Sequence, residues 1–232
     1  MMRPCLTVDS TNQWISIGIF DTENEVMNSI YAGRDASAFL VPMIRELFEK
    51  SSLKKPDWIC CARGPGSFTS TRIGVGVARN LAQMWNIPVM GIDSLYFYGK
   101  DCLKKTEAER AAVMIDAKQQ KVCARLVSRD TEDMQPETAT LDIAPGEFLK
   151  SLEEDIPIFA DETEVILKII EKSYGPTNRT LQKIDPPSAR SLYELAEELG
   201  GIQKAGEWQS LLPVYTRKDP ATTKFPEGIN PN

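Results

Sequence analysis

Histidine is absent from this sequence of 232 residues. The chain alone therefore cannot form a Ser-His-Asp triad, a Cys-His pair or a histidine-ligated metal site. No apolar run approaches the ~18 residues that a membrane-spanning helix needs. The opening segment, MMRPCLTVDS, has no room for the apolar stretch and cleavage site of a signal peptide. These absences exclude histidine-dependent hydrolases and predict a cytoplasmic protein without a membrane span.

Cysteines are few, and basic residues are fewer than acidic ones. The five cysteines are odd in number and form no C-x-x-C pair, so we expect them to be reduced and mostly buried. Lysine and arginine total 27 against 33 acidic residues, a net charge of −6. This balance argues against a chain that binds nucleic acid on its own, but it allows a subunit of a complex that binds nucleic acid. The remaining composition is that of an ordinary globular protein.

The first hundred residues predict three strands followed by alternating helices and strands. Alternation and short apolar runs set the strands, and apolar spacing of three and four residues sets the helices. Pro42 lies inside the first helical pattern and predicts a kink or a later start. The predicted strands are 5–9, 14–20, 25–31, 57–63 and 87–92; the helices are about 37–50, about 69–85, and one capped by Asp93 or Ser94.

The second half repeats this order in weaker form. The strand at 111–117 contains Asp116 near its end, as the first strand ends in Asp9, and these two residues lie 116 − 9 = 107 positions apart. That interval suits two lobes of one duplicated unit better than a short structural repeat. We predict lobes over residues 1–105 and 106–216, and a proline-rich tail over 217–232. The further predicted strands are 121–127, about 137–143 and 156–160; the helices are about 146–153, about 162–172, and one starting at Ser188 or Ser191.

The segment GPGSFTSTRIG (64–74) is the sharpest local motif. A glycine loop between a buried strand and a helix presents free backbone N–H groups to an anion. It is not a P-loop, because the spacing differs and no lysine is present. The alternative is a glycine turn needed only for close packing, with the strand-end aspartates as local turn formers. The candidate nucleotide or anion site comprises Asp9, Gly64, Gly66, Ser67 and Thr69.

Gly74, Gly76 and Ala78 form a smooth patch in the helix that follows. Glycine inside a helix costs roughly 1 kcal/mol relative to alanine, so something must approach the backbone closely there. Either a strand of the same chain or a helix of another subunit fits this requirement.

In order along the chain, these pieces resemble one family, the TsaB (YeaZ) proteins of bacteria. The resemblance runs from about residue 5 to residue 218 and is strongest in the GPGSFT segment. It implies an α/β, actin-like (ASKHA, ribonuclease H-like) ATPase fold with two duplicated lobes. The matching segments are LTVDST, WISIGIF, SAFLVPMIRELF, GPGSFTSTRIGVGVARNLA, IPVMGIDSL, VMIDAKQQKV and LLPVYTRK.

The same resemblance implies a subunit without activity of its own. Family members help to make threonylcarbamoyladenosine in tRNAs that read A-starting codons, as partners of the catalytic subunit TsaD and of the ATPase TsaE. No metal or cofactor of its own is implied, although ATP or ADP at an interface shared with TsaD is compatible with it, and tRNA would be contacted through the complex. The implied partner interface comprises Phe39, Leu40, Met43, Leu47, Arg72, Gly74, Val75 and Ala78, on the first two helices.

Two positions depart from the family pattern. Ser70 and Thr71 replace the usual Gly-Leu of GPGSFTGLRIG, and Ala36-Ser37 replaces the usual His-Ser before the first helix.

The alternative function is a stand-alone ATPase or phosphotransferase of actin-like fold, built on the loop at 64–70 and on Asp9 and Asp116. A peptidase is excluded by the missing base and ligands. A homodimer is expected where a face meant for a related subunit accepts a second copy.

Overall fold

A computed structural model describes residues 3–22, 24–33, 35–130 and 140–216. Its first sheet has the order β3-β2-β1-β4-β5, with β1, β2 and β3 antiparallel and β1, β4 and β5 parallel. The central strands β1 and β4 are apolar and buried on both faces, as expected for strands covered by helices on either side. The strands are β1 (Cys5–Asp9), β2 (Trp14–Phe20), β3 (Glu25–Tyr31), β4 (Trp58–Ala62) and β5 (Val89–Ile92).

The second sheet repeats this topology. Its order is β10-β9-β6-β7-β8, so β6 takes the place of β1, and β7 and β9 take the places of β2 and β4. Two five-stranded sheets of matching order make this an actin-like α/β fold, which confirms the predicted fold class. The strands are β6 (Arg110–Asp116), β7 (Val122–Ser128), β8 (Leu141–Ile143), β9 (Ile158–Ala160) and β10 (Leu181–Lys183).

Helices separate and cover the two sheets. One helix pair, α1 and α2, covers the outer face of the first sheet, and α4 and α5 cover the outer face of the second. Both α3 and α6 lie between the sheets and share one apolar cluster with residues of each. The helices are α1 (Ala36–Ser51), α2 (Phe68–Trp85), α3 (Ser94–Leu103), α4 (Pro145–Lys150), α5 (Thr163–Tyr174) and α6 (Ala189–Glu198), and short 3-10 turns follow at Gly201–Gln203 and Trp208–Ser210.

The helix starts resolve the choices that the sequence left open. Asp93 caps α3 by accepting a hydrogen bond from the backbone N–H of Tyr96, and Ser188 caps α6 in the same way from Ser191. Pro42 lies inside α1 without delaying its start. The bond that it omits belongs to the carbonyl of Ala38, on the exposed side of the helix, where water can satisfy it.

Helix α6 packs across the boundary between the two predicted lobes. Although α6 falls in the predicted second lobe, it packs on the first sheet, where the ring of Tyr193 stacks on Phe20 at 4.5 Å. The predicted lobe limits, 1–105 and 106–216, stay a prediction. The tail at 217–232 and positions 137–139 of the predicted third strand lie outside the described residues. Within the described ranges, no helix is both long and apolar enough to cross a lipid bilayer.

Candidate functional site

The carboxylate of Asp9 lies at the end of β1 and is buried among its own neighbours. Its Oδ1 accepts hydrogen bonds from the backbone N–H and the hydroxyl of Thr11, both at 2.8 Å. Its Oδ2 accepts a hydrogen bond of 2.9 Å from the hydroxyl of Tyr98 in α3. The side-chain amide of Asn12 donates to that same hydroxyl at 3.1 Å. Asp9 is therefore enclosed by donors of its own chain.

Burial and hydrogen bonding act on the pKa of Asp9 in opposite directions. Burial raises the pKa of Asp9 above its ordinary value, while the hydrogen bonds from Thr11 and Tyr98 act in the opposite direction. The hydroxyl oxygens of Thr11 and Tyr98 also lie 2.8 Å apart, so the three side chains form a closed triangle. The carboxyl group of Asp9 is thus removed from water and held by donors of its own chain.

The glycine loop packs directly against the turn that follows β1. The backbone N–H of Ser67 donates to the carbonyl oxygen of Thr11 at 2.6 Å. A Cβ on Gly66 would lie 2.0 Å from that oxygen, so only glycine permits this approach. Gly64 has a φ of +93°, and a Cβ there would lie 2.9 Å from the carbonyl oxygen of Val214. Gly64 and Gly66 are thus needed for close packing, which is the alternative to anion binding that the sequence left open.

The first turn of α2 carries the accessible part of the motif. Ser67 and Thr69 are exposed, and Ser67 occupies the N-cap without a side-chain hydrogen bond to the helix backbone. Arg72 places its guanidinium 3.8 Å from the ring centre of Phe68, and its Nε donates to the hydroxyl of Tyr215 at 2.7 Å. The predicted anion site is therefore divided, since Ser67 and Thr69 face solvent and Asp9 is sealed beneath them.

Asp116 occupies the corresponding strand end in the second sheet. It accepts a hydrogen bond of 2.9 Å from the backbone N–H of Lys118 and pairs with the ammonium group of that residue. Its own backbone N–H donates to Asp161 at 3.0 Å. Burial raises the pKa of Asp161 to about 6, and the charges of Asp116 and Glu162 act in the same direction. The second strand end is likewise held by local partners.

A buried ion pair lies beside the loop, at the start of α3. Asp93 accepts the cap hydrogen bond from Tyr96 at 2.8 Å, and its Oδ1 lies 3.3 Å from Nη1 of Arg125 in β7. Thr140 donates to Oδ2 of Asp93 at 3.3 Å. Burial raises the pKa of Asp93, whereas the hydrogen bond from Tyr96 and the charge of Arg125 lower it. This pair links the start of α3 to β7 of the second sheet.

Six of the eight predicted interface residues belong to the core of the chain itself, which corrects their assignment. A Cβ on Gly74 would lie 2.3 Å from Oγ of Ser10, so the close approach is to the β1 turn and not to another subunit. Phe39 and Arg72 are the two that are exposed. The six buried positions are Leu40, Met43, Leu47, Gly74, Val75 and Ala78.

The outer surface of α1 and α2 presents a different set of apolar groups. Phe39 and Val41 of α1 are 43% and 56% exposed, and Phe68 and Met84 of α2 are 51% and 75% exposed. No described atom lies within 4 Å of a Cβ placed on Gly76, so this glycine opens onto free space. Phe39 and Val41 are two positions apart and so lie on opposite flanks of the exposed side of α1, as Phe68 and Met84 do on α2. These five exposed positions are together called the α1/α2 outer face below.

The residues that complete the site come from distant parts of the chain. Tyr98 reaches Asp9 across 89 positions, and Tyr215 reaches Arg72 across 143. No local pattern singled out Tyr98, Arg125 or Tyr215, because each acts through a partner that the fold supplies. Among the described residues, no group of three or more cysteine and acidic side chains has the placement of a metal site.

Comparison with known proteins identifies relatives in one pathway. The model of the family of TsaD, described as tRNA N6-adenosine threonylcarbamoyltransferase, matches residues 26–199. The TsaB protein of Escherichia coli is 28% identical over 127 residues, which are 54% of this chain and 55% of that protein. The TsaB protein of Buchnera aphidicola subsp. Baizongia pistaciae is 21% identical over 222 residues, 93% of this chain and 98% of that protein. In its match to the Escherichia coli protein, the chain spans about half the length of that relative.

Solved structures agree on the fold. A crystal structure of a Pseudomonas aeruginosa protein with similarity to the peptidase YeaZ superposes with a TM-score of 0.78 at 24% identity. The match covers 93% of this chain and all of that one. A structure of YeaZ from the same organism gives a TM-score of 0.76 at 23% identity, over 92% of this chain and 100% of that one. At this identity the likeness shows the fold alone.

Proposed function

Because the chain belongs to the family of the threonylcarbamoyltransferase TsaD, and within it to the TsaB (YeaZ) proteins, we propose that it is a non-catalytic subunit of tRNA threonylcarbamoyladenosine synthesis. It binds and activates a TsaD-type catalytic subunit, together with a TsaE-type ATPase, in the cytoplasm. It touches tRNA through the assembled complex. The observation that carries this proposal is the family match, which runs from β3 to α6 and so includes strands of both sheets.

The chemistry of the strand ends supports a role without catalysis. The carboxylate oxygens of Asp9 already accept hydrogen bonds from Thr11 and Tyr98 and are buried, so they are poorly placed to bind the metal ion of a nucleotide. The sequence provides no histidine that could serve as a base or a metal ligand. A nucleotide, ATP or ADP, would then be held at a surface shared with the catalytic subunit, where Ser67 and Thr69 at the start of α2 are accessible.

The α1/α2 outer face is the proposed contact with the catalytic subunit. Its exposed rings and aliphatic groups resemble the apolar centre of a stable protein interface, which arginine and aromatic residues also favour. Arg72, held between Phe68 and Tyr215, provides such a group at the edge of this face. A second copy of the chain could occupy the same face when the partner is missing.

The direct test is an omission assay. TsaD, TsaE, tRNA, ATP and a source of threonylcarbamoyl-adenylate are combined with and without this chain, and modified adenosine is quantified. We expect product to fall to background when the chain is omitted. Equal product in both reactions would overturn the proposal and direct attention to ATP hydrolysis by the isolated chain.

A bulky substitution locates the interface. Gly76→Trp adds a large side chain where no described atom lies within 4 Å, so the chain should fold and lose its partner. The matched control is Val165→Trp, an exposed apolar position on α5, the helix that covers the second sheet. Size-exclusion chromatography with light scattering should show complex formation by the control and not by Gly76→Trp. Equal binding by both variants would mean that the contact lies elsewhere.

A further inference from the structure

One stripe of α2 carries Phe68, Arg72 and Gly76. Residues four positions apart lie on the same side of a helix, so these three follow one another along its surface. Helical side chains point toward the N-terminus, and the guanidinium carbon of Arg72 lies 3.8 Å from the ring centre of Phe68. A Cβ on Gly76 would meet no described atom within 4 Å. A second molecule can therefore reach the backbone of α2 at Gly76 and meet the guanidinium one turn away.

Tyr215 holds this guanidinium from the other side. Nε of Arg72 donates a hydrogen bond of 2.7 Å to the hydroxyl of Tyr215. The ring centre of Tyr215 lies 5.4 Å from the guanidinium carbon and 5.3 Å from the ring centre of Phe68. Two aromatic contacts and one hydrogen bond thus hold the guanidinium group in place. Phe68, Arg72 and Tyr215 are together called the Arg72 clamp below.

The neighbours of Tyr215 in the chain are anchored to both sheets. The backbone N–H of Val214 donates to the carbonyl oxygen of Arg63, after β4, at 2.8 Å. The hydroxyl of Thr216 lies 3.1 Å from Sγ of Cys123 in β7. A partner therefore meets a clamp that is already formed, which reduces the conformational entropy lost on binding.

The Arg72 clamp contains no acidic side chain. Within the part of the chain that the structure describes, no carboxylate oxygen lies within 4.0 Å of the nitrogens of Arg72. The bond to Tyr215 uses Nε and leaves the donors of Nη1 and Nη2. The parallel N–H bonds of these two nitrogens match the two oxygens of a carboxylate. The clamp thus presents a fixed positive fork on the surface.

The same geometry favours a protein carboxylate over a nucleic acid. Single-stranded nucleic acids bind exposed aromatic residues by stacking bases on open ring faces. In the clamp the guanidinium covers a face of Phe68, so the rings support the cation and the N–H donors are what is offered. The net charge of −6 also weakens the attraction of the chain to an RNA backbone.

We propose that an element of the catalytic subunit crosses α2 at Gly76 and places an aspartate or glutamate carboxylate on Nη1 and Nη2 of Arg72, with Tyr215 as the residue that positions the guanidinium. This inference rests on the proposed function, to which it adds the chemistry of the partner group. Arginine held beside aromatic rings is typical of the residues that contribute most to protein interfaces. Phe68 and Gly76 belong to the α1/α2 outer face, so the clamp continues that surface.

The test measures binding of the full-length chain to a TsaD-type subunit by isothermal titration calorimetry, without RNA. We expect Arg72→Gln to weaken binding about tenfold, the loss typical of an interface arginine. Arg72→Glu should weaken it by about a further threefold, because two like charges then face each other. The matched control is Arg110→Gln, which removes an exposed arginine from β6 of the second sheet and should bind like the parent chain.

Tyr215→Phe tests the positioning role, since it keeps the ring and removes the hydroxyl that holds Nε. It should weaken binding about threefold in the parent chain and have no effect in Arg72→Gln, because its action passes through the guanidinium. Thermal unfolding followed by circular dichroism accompanies both titrations. An equal loss of affinity in both backgrounds, or a loss that follows a lowered melting temperature, would contradict the positioning role.

The remaining outcomes separate this inference from the proposed function. If the parent chain binds the subunit and Arg72→Gln binds as Arg110→Gln does, the carboxylate contact is overturned and the proposed function stands. Equal losses in Arg72→Gln and Arg72→Glu would also overturn it, since a carboxylate must respond to the reversed charge. Variants that bind the subunit normally but lose tRNA in the assembled complex would assign Arg72 to RNA instead. A parent chain that does not bind the subunit would overturn both.

Discussion

Two glycines in α2 provide a matched pair for a stability measurement. Gly74 and Gly76 lie two positions apart in the same helix, so they point in different directions and meet opposite surroundings. A Cβ on Gly76 meets nothing within 4 Å, whereas one on Gly74 would lie 2.3 Å from Oγ of Ser10. That hydroxyl is buried and donates to the carbonyl oxygen of Ser70 at 2.8 Å. Replacement of each glycine by alanine should therefore change stability in opposite directions.

The magnitudes follow from the same contacts. Alanine gains about 1 kcal/mol over glycine inside a helix, so Gly76→Ala should stabilise the chain by about that amount. Gly74→Ala has the same gain, but displacing the Ser10 hydroxyl costs about 1–3 kcal/mol for the broken bond and about 1–3 kcal/mol for overpacking. The net expectation for Gly74→Ala is a loss of about 1–5 kcal/mol, or about 2–6 kcal/mol between the two variants.

Urea denaturation followed by circular dichroism measures both variants, and a double-mutant cycle isolates the contact. The Cβ of Ser10 lies 3.5 Å from the place that a Cβ on Gly74 would occupy, an ordinary contact, so Ser10→Ala should relieve most of the clash. Gly74→Ala should then cost less in the Ser10→Ala background than in the parent chain. Equal stabilisation by Gly74→Ala and Gly76→Ala, or no relief from Ser10→Ala, would refute the packing argument.

Three further measurements address buried groups. The pKa of Asp161 is raised to about 6, above the ordinary 3.8, so the native state holds the extra proton and the free energy of unfolding should fall by roughly 2 kcal/mol as pH rises from 4 to 6. Asp161→Asn keeps an acceptor oxygen and should abolish that fall in urea titrations; an unchanged slope would assign it elsewhere. Tyr98→Phe removes a donor to buried Asp9 and should cost about 1.5–3 kcal/mol, with the exposed Tyr31→Phe as control. The five cysteines are buried and form no disulfide, so a thiol reagent should label them only after unfolding, and rapid labelling of the native chain would contradict their burial.

Periodicity predicted nearly all the elements, and its failures have identifiable causes. Pro42 was expected to kink the first helix or to delay its start, and the start is not delayed. The helix tolerates Pro42 because the unbonded carbonyl of Ala38 lies on the exposed side. Apolar residues at helical spacing mark the face that a helix buries, whether its cover is a sheet or another subunit. The pattern at Leu40, Met43 and Leu47 could not distinguish these covers, and the sheet of the same chain proved to be the cover.

The candidate site was less accessible to sequence reasoning. Gly64 and Gly66 both lie where a side chain would collide with neighbouring backbone, and their role in anion binding stays a prediction. The partners of Asp9 and Asp93 could not be named, because Tyr98 and Arg125 reach them only through the three-dimensional arrangement. A motif marks a backbone conformation, whereas a buried charge pair is specified by contacts between distant segments.

The position of α6 between the sheets has a consequence for biosynthesis. The stack of Tyr193 on Phe20 and the contact of Ala189 with Gly18 cover a sheet whose last strand ends at Ile92. Translation at about 5–20 residues per second leaves that apolar face uncovered for roughly 5–20 s, until α6 emerges. During that interval the nascent chain is a substrate for chaperones, and any fragment ending before Ala189 should aggregate through the face that surrounds Phe20.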